Sequence, residues 1–530
     1  MDGGLKVLFV IDGEDFIDPM GPAYLLAAAK AVGHEGEALI LSNTANPLND
    51  VRSYKPNLIA YSAVTGTHQR YFEFNKLIKK YFPDTFTIMG GAHPTYYPEC
   101  VRYQPIDAIC VGEGEGAFVE LLDRLARGEK GESLYDIMNL GFPNGPINKK
   151  RPLIGDLDTV PFPDRDAIFQ KAPAMAVFPL KTFMTSRGCP FPCSYCFEPV
   201  LKAMYKKEKA FGEKKEIGKN RGSSGKYERR HSVDRVIAEI LDLKKRWPVE
   251  FIKFEDDLFV LFRKDPWLEE FAERYPKEVG IPFNALVRVD SINETMAQLL
   301  QQAGCVSLNI AIDSPNREVR KRVVHKNFTN EEIIENFKLL DRYGIRVFNN
   351  MILGLPPLSS EESWDSIKDD KDTIDIEIAA GVKFSSRSIL MPYPGTEIGR
   401  WCETKGYFKM NVDEFGESLM DRSPLGCFTE EQKDIQKNIL YLSGLAVWQP
   451  RLAPFIKKYA VHWRNRFSEK LFLSIYYLVK VYTLKKYIYP IKIKNPIRGL
   501  KDLVKGFWIE VFRALPEARK TVTYPAPKAR

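Results

Sequence analysis

Over the first 130 residues, short apolar runs alternate with stretches whose apolar positions recur every three or four residues. The runs at 5–11, 37–41, 58–62, 86–89 and 108–111 predict strands, and the patterns at 23–32 and 71–81 predict helices. Such alternation argues for a parallel, doubly wound sheet. Ligands of these sheets bind beyond the carboxyl ends of the strands. The loops expected there are small and turn-forming: Asp12-Gly13-Glu14, Ser62-Ala63-Val64-Thr65-Gly66-Thr67, Gly90-Gly91-Ala92-His93-Pro94-Thr95 and Gly112-Glu113-Gly114-Glu115. Glycine lets a backbone approach a large ligand closely. Pattern alone makes residues 1–130 a Rossmann-like (flavodoxin-like) ligand domain.

Residues 131–180 read as a connector, because Pro143, Pro146, Pro152, Pro161, Pro163 and Pro173 break any long element. From 181 to 400 the rhythm returns. Strand-like runs at 182–185, 251–257, 283–290, 307–314 and 348–356 are separated by helical patterns such as 231–247 and 293–303. These suit an open, parallel β/α barrel of the TIM type, with its strand ends facing an active site. Residues 401–530 are mainly helical with Pro and Gly breaks, and aromatic, Leu and Lys residues mix at 472–480 and 485–489.

Composition changes this picture little. At 530 residues, 44% hydrophobic and 28% charged, the chain is a folded protein of about three domains. Eight cysteines are sparse for a disulfide framework, so a reducing cytoplasm is expected. The N-terminus lacks the basic flank and cleavage site of a signal peptide, and no run of 18 apolar residues suggests a spanning helix. Charge is unevenly placed. Residues 451–530 carry +15 of a total +8, leaving −7 on the rest. A basic, aromatic tail fits peripheral contact with an anionic membrane; packing against the protein's own barrel explains its apolar part equally well. No nucleic-acid recognition motif is present, so no such partner is expected. The Lys-, Gly- and Ser-rich stretch 201–230, with 11 basic and 4 acidic residues, reads as a solvated insertion or as a lid over an anionic substrate.

The chemistry-bearing stretch is Arg187-Gly188-Cys189-Pro190-Phe191-Pro192-Cys193-Ser194-Tyr195-Cys196. A tight loop can aim three thiolates at one point, and thiolates suit iron–sulfur clusters or zinc. Structural zinc wants four protein ligands; here there are three, with no neighbouring Cys or His to complete a set. Of the other cysteines, Cys110 and Cys305 lie in or beside apolar runs and read as small buried hydrophobes, while Cys402 or Cys427 could supply a catalytic thiol.

The cysteine spacing and the strand ends that follow, taken with the Gly-Gly-x-His-Pro-Thr and Gly-Glu-Gly-Glu loops before them, resemble the cobalamin-dependent radical S-adenosylmethionine (radical SAM) enzymes. That class includes radical C-methyltransferases and the anaerobic Mg-protoporphyrin monomethyl ester cyclase. The resemblance covers roughly residues 5–400. It implies that Cys189, Cys193 and Cys196 hold a 4Fe–4S cluster whose open iron binds S-adenosylmethionine. It also implies cobalamin on the N-terminal domain, with contacts from Ser62, Thr65, Gly90, Gly91, His93, Gly112 and Glu113. Tyr195 would cover the cluster or meet adenine. Glu255, Asp256 and Asp257 would receive the amino group of S-adenosylmethionine, and Arg288 its carboxylate. Asp313 and Ser314 would lie near the ribose, and Gly354 would support adenine. Two departures stand out. Asp12-Gly13-Glu14-Asp15-Phe16-Ile17 lacks the His and Gly of a D-x-H-x-x-G motif, so no histidine of that loop ligates cobalt. Only His68 and His93 remain as loop histidines, for cobalt or for a purely polar role. Asp313-Ser314-Pro315 replaces a longer Glu-Ser-Gly.

The reaction implied is reductive cleavage of S-adenosylmethionine to a 5′-deoxyadenosyl radical, hydrogen abstraction from an unactivated carbon, and methyl transfer from methylcobalamin. The alternatives are cyclisation or rearrangement without methyl transfer, as in the tetrapyrrole cyclase, and a non-enzymatic cobalamin or redox sensor. A hydrophobic small-molecule substrate (a lipid or a tetrapyrrole) and an external one-electron donor such as flavodoxin or ferredoxin complete the expectation.

Overall fold

The structure, a computed structural model, describes residues 4–491 except 16, 212–226, 262–263, 358–363, 410 and 413–421, together with Pro527. The first sheet comprises β1 (Lys6–Ile11), β2 (Glu35–Ile40), β3 (Leu58–Ser62), β4 (Phe86–Gly90), β5 (Ala108–Cys110) and β6 (Leu140–Gly141). Its order is β2-β1-β3-β4-β5-β6. All pairs are parallel except β5–β6. Strand β1 shows why the runs read as unbroken. Val7, Phe9 and Ile11 enter one core while Leu8 and Val10 enter another, so helices cover both faces. The proline-rich connector contributes β6, an antiparallel edge strand.

The second sheet begins with β7 (Leu180–Phe183). A small ribbon of β8 (Ser186–Arg187) and β9 (Arg229–Arg230) follows, and then β10 (Phe251–Phe254), β11 (Phe283–Val287), β12 (Cys305–Asp313), β13 (Arg346–Leu353) and β14 (Phe384–Ile389). Its order is β14-β13-β12-β11-β10-β7, parallel throughout. β14 does not pair with β7, so the barrel stays open. Residues 212–226 of the lysine-rich stretch lie outside the described residues; its flanks form the helix Glu198–Lys207 and β9.

Helix Glu430–Trp448 packs on β14 and against helix Arg466–Thr483. The inner face of the latter, Phe472, Leu473, Tyr476 and Tyr477, is buried, so these residues do pack against the protein's own fold. The turn Leu484–Ile488 then closes the floor of the open barrel. The carbonyl of Ile488 accepts from Ser307 Oγ (2.8 Å), and Tyr489 meets Phe251 edge-on at 5.6 Å. Ser307 and Phe251 lie near the starts of their strands, opposite the end where the cysteines sit. Among the described residues no helix is long and apolar enough to cross a membrane.

Candidate active site at the junction of the two sheets

The three cysteines occupy one loop beyond β8 (Gly188 has φ +87°), and a side chain at Gly188 would come within 2.8 Å of the Tyr227 carbonyl. The Cys189 amide donates to Glu198 Oε2 (3.1 Å), and the Cys196 amide donates to the Cys193 carbonyl (3.1 Å). Ser194 ties the loop to its surroundings through the Val324 carbonyl (3.3 Å) and the Ile398 amide (3.1 Å). All three thiols are half-buried and unbridged, and Cys189 and Cys196 each feel the charge of Cys193. Burial pushes Cys189 and Cys196 up to about 12, so a metal binding there displaces protons.

Among the described residues no three His, Cys, Asp or Glu side chains converge as they would around a single ion.

Around the loop the structure gives several residues partners of their own. Arg288 spends Nε and Nη2 on Asp290 (2.9 and 2.8 Å), lies 3.7 Å over the Phe191 ring, and directs Nη1 at Cys193 Sγ (3.4 Å). Asp256 is buried, accepting from the amides of Thr185 (2.6 Å) and Ser186 (2.5 Å) and from both hydroxyls (3.0 Å each). It clamps β10 to β8. Asp257 is exposed and accepts from the Gly188 amide (3.3 Å), while Glu255 is half-exposed and pairs with Lys253. Of the three acids, the outer two are open to a ligand. Asp313 stands at φ +67°, a left-handed conformation costly for a non-glycine residue. Lys326 pairs with it at 2.6 Å and the Tyr195 hydroxyl donates to it at 3.2 Å. Its neighbour Ser314 is buried, its carbonyl accepting from Arg320 (2.7 Å). At Gly354 (φ +70°) the amide donates to Asp370 (3.1 and 3.2 Å), whose carboxyl burial pushes up to about 8.

On the first sheet the predicted residues gather beyond β3, β4 and β5. Ser62 ends β3 and Gly90 ends β4; Gly91 has φ +91°, and a Cβ there would stand 2.7 Å from the Ala63 carbonyl. Thr65 Oγ1 meets His93 Nδ1 at 3.1 Å, and His93 stacks on His68 with centroids 3.9 Å apart. Burial, reinforced by His68, pushes His93 down to about 3, so it is neutral at pH 7. Its Nε2 is buried with no hydrogen-bond partner among the described residues, a polar atom left for a ligand. Gly112 (φ +83°) donates its amide to Thr95 Oγ1 (3.1 Å). The Glu113 amide donates to the Tyr205 hydroxyl (3.0 Å), and its carboxylate pairs with Arg229 (2.7 Å) and Arg187 (3.4 Å). Burial opposes that charge, but the two guanidiniums outweigh it and hold the carboxyl down to about 2. Glu113 therefore fastens the two halves together.

A substitution Gly112→Ala would force a left-handed conformation and drive its methyl into the Tyr205 hydroxyl. The expected result is a loss of about 1–2 kcal/mol in urea denaturation from the backbone alone. Weaker retention of hydroxocobalamin on gel filtration is also expected.

Further residues complete the site that sequence reasoning did not single out. Arg187, just before the cysteines, pairs with Glu115 at 2.7 Å. Tyr96, the last residue of the short helix Ala92–Tyr96 after β4, stacks on Phe197 at 4.2 Å, and Phe197 tilts against Tyr393 at 5.1 Å. Glu198, pushed up to about 8 by burial and by Asp257, accepts from the Tyr227 hydroxyl (2.9 Å). Arg187 and Glu115 lay in stretches already marked in the sequence, the cysteine motif and the Gly-Glu-Gly-Glu loop, and Phe197 and Glu198 were signalled by their adjacency to Cys196. These contacts set the carboxyl ends of both sheets against each other at the cysteine loop.

Comparison with known proteins agrees. The B12 binding domain model matches residues 8–122 and the radical SAM superfamily model residues 183–369. An uncharacterized methyltransferase of Pyrococcus horikoshii is 30% identical over 72% of this chain and 78% of its own length. The anaerobic magnesium-protoporphyrin IX monomethyl ester cyclase of Rubrivivax gelatinosus is 24% identical over 67% of this chain and 62% of its own. In fold, the cobalamin-dependent S-adenosylmethionine radical enzyme OxsB, solved with aqua-cobalamin and S-adenosylmethionine, superposes with a TM-score of 0.59 at 16% identity, over 96% of this chain and 84% of that one. The chain belongs to the cobalamin-dependent radical SAM enzymes, whose cofactors are a 4Fe–4S cluster, S-adenosylmethionine and cobalamin.

Proposed function

We propose that this enzyme is a radical C-methyltransferase acting on a hydrophobic substrate. Electrons would come from a flavodoxin or ferredoxin, and the basic C-terminal region would contact an anionic surface. The observation that carries this reading is the junction itself. The corrinoid-side loops meet the cysteine loop through Arg187–Glu115 and Tyr96–Phe197, so groups held on either side would lie close to each other. When bound, the cluster supplies the electron that cleaves S-adenosylmethionine, and the cobalamin supplies the methyl group. Within this proposal the chain's own residues position and exclude. Cys189, Cys193 and Cys196 would hold the cluster, with the Arg288 guanidinium directed at Cys193 Sγ. Asp257 and Glu255 would take the amino group of S-adenosylmethionine. Gly91 and Gly112 would let the backbone approach the corrin, and the Tyr96–Phe197–Tyr393 rings would keep water out. Division of labour at about residues 130, 180 and 400 follows the same reading.

The test is anaerobic turnover of reconstituted protein with S-adenosylmethionine, dithionite, hydroxocobalamin and lipid or tetrapyrrole extracts. Methyl transfer yields S-adenosylhomocysteine and a methylated product beside 5′-deoxyadenosine. The Rubrivivax gelatinosus relative is named as a cyclase, so the competing outcome is 5′-deoxyadenosine with no S-adenosylhomocysteine, which would replace methylation by ring closure or rearrangement.

A further inference from the structure

Large apolar side chains on the surface are concentrated in one place. Of the sixteen that stand exposed among the described residues, nine lie between 448 and 482. On helix Arg466–Thr483 they are Phe467, Leu471, Leu478 and Tyr482, spaced four, seven and four residues apart, which is a single helical face. Phe467 is 78% exposed and Leu478 62%. This face is the reverse of the one that buries Phe472, Leu473, Tyr476 and Tyr477, so packing against the described residues does not account for it. The stripe continues onto its neighbours. Trp448 lies 5.1 Å from Tyr482, and beyond the start of the helix Phe455 and Trp463 meet at 6.1 Å, both exposed. A contiguous apolar patch on a surface marks an interaction site.

Charge selects the partner. Between residues 451 and 491 nine Lys and Arg stand against one acid, Glu469, and Lys437 pairs with that acid. Two copies of so positive a face would repel each other. Aromatic rings among lysines and arginines on a helix that cannot span a bilayer fit the headgroup region of an anionic one. We propose that the outer face of helix Arg466–Thr483, with Trp448, Phe455 and Trp463, docks this enzyme on an anionic lipid surface. The stripe inserts apolar side chains while Arg466, Lys470, Lys485 and Lys486 meet lipid phosphates. This rests on the anionic-surface contact proposed above and names its face.

The full-length reconstituted protein is sedimented with vesicles of phosphatidylcholine alone or mixed with phosphatidylglycerol. Binding is expected only to the mixed vesicles, with a blue shift of tryptophan emission. F467S/L478S, which alters only exposed side chains, is expected to keep its cluster spectrum and thermal midpoint while losing vesicle affinity roughly 10–100-fold. Wild-type protein that ignores both vesicle types overturns the proposal together with the anionic-surface contact. Binding that salt abolishes but F467S/L478S leaves unchanged overturns the insertion face and keeps the charge contact. A dimer in solution that F467S/L478S splits gives the stripe to a second copy instead.

Discussion

Cys193→Ala is expected to remove the visible bands of the reconstituted cluster and to lower 5′-deoxyadenosine formation by roughly three orders of magnitude or more, because no residual path supplies the electron. Cys193 is the middle member of the loop, and the Arg288 guanidinium is directed at its sulfur. Alanine takes away one of only three thiolates on the loop. Cobalamin binding should survive, because the His93, Gly91 and Gly112 loops belong to the other sheet. Cys305→Ala is the control. That thiol is buried in β12 among apolar neighbours, so its loss should leave both spectra and the products unchanged. A Cys193→Ala protein that retained a full cluster spectrum and turnover would remove the loop from the chemistry.

Glu113→Ala is expected to cost about 3–5 kcal/mol in denaturant unfolding, because it strands Arg229, a buried cation, without its carboxylate. Arg187 loses less, keeping Glu115. The effect should carry a pH signature. The folded carboxyl is held at about 2, against 4.5 for an ordinary glutamate. Its contribution is therefore complete above about pH 4.5 and is lost as the pH falls from there toward 2. Wild type and Glu113→Ala should accordingly converge in stability in that acidic window and differ most at neutral pH. A constant difference between them from pH 7 to pH 3 would mean that the pair contributes through packing alone.

The strands that read clearly are those buried on both faces, where unbroken apolar runs leave little choice. β14 was not legible, because Phe384-Ser385-Ser386-Arg387-Ser388-Ile389 looks like a polar loop. It is a strand because Arg387 pairs with Glu377 inside the protein and Ser385 donates to the same carboxylate (2.9 Å), an arrangement no local pattern announces. β9 was hidden for the same reason. Two arginines at the edge of a lysine-rich stretch look solvated, yet Arg229 meets Glu113 and Arg230 meets Asp265 (2.7 Å), both buried. At the site, spacing alone disclosed the three cysteines, since their chemistry is carried by one short loop. Lys326 follows the basic run Arg320-Lys321-Arg322 and reads as surface. Its burial depends on Asp313, whose left-handed backbone is a property of the folded strand end. In the same way Arg288 and Asp256 had the right chemistry, but only the folded chain shows Asp290, Thr185 and Ser186 taking up their hydrogen-bonding groups.

The turn Leu484–Ile488 that floors the open barrel bears on how the enzyme is made. The ribosome releases the cysteine loop roughly 300 residues before that turn, which at ordinary elongation rates is about 15–60 s. Throughout that interval the nascent barrel lacks its floor, since Ser307 and Phe251 await Ile488 and Tyr489. That floor lies at the end of the barrel opposite the cysteine loop, so what stays uncovered in the interval is the apolar interior at the strand starts rather than the thiols. Synthesis of the turn ends that window, so slow translation late in the message would favour aggregation of the unfloored barrel.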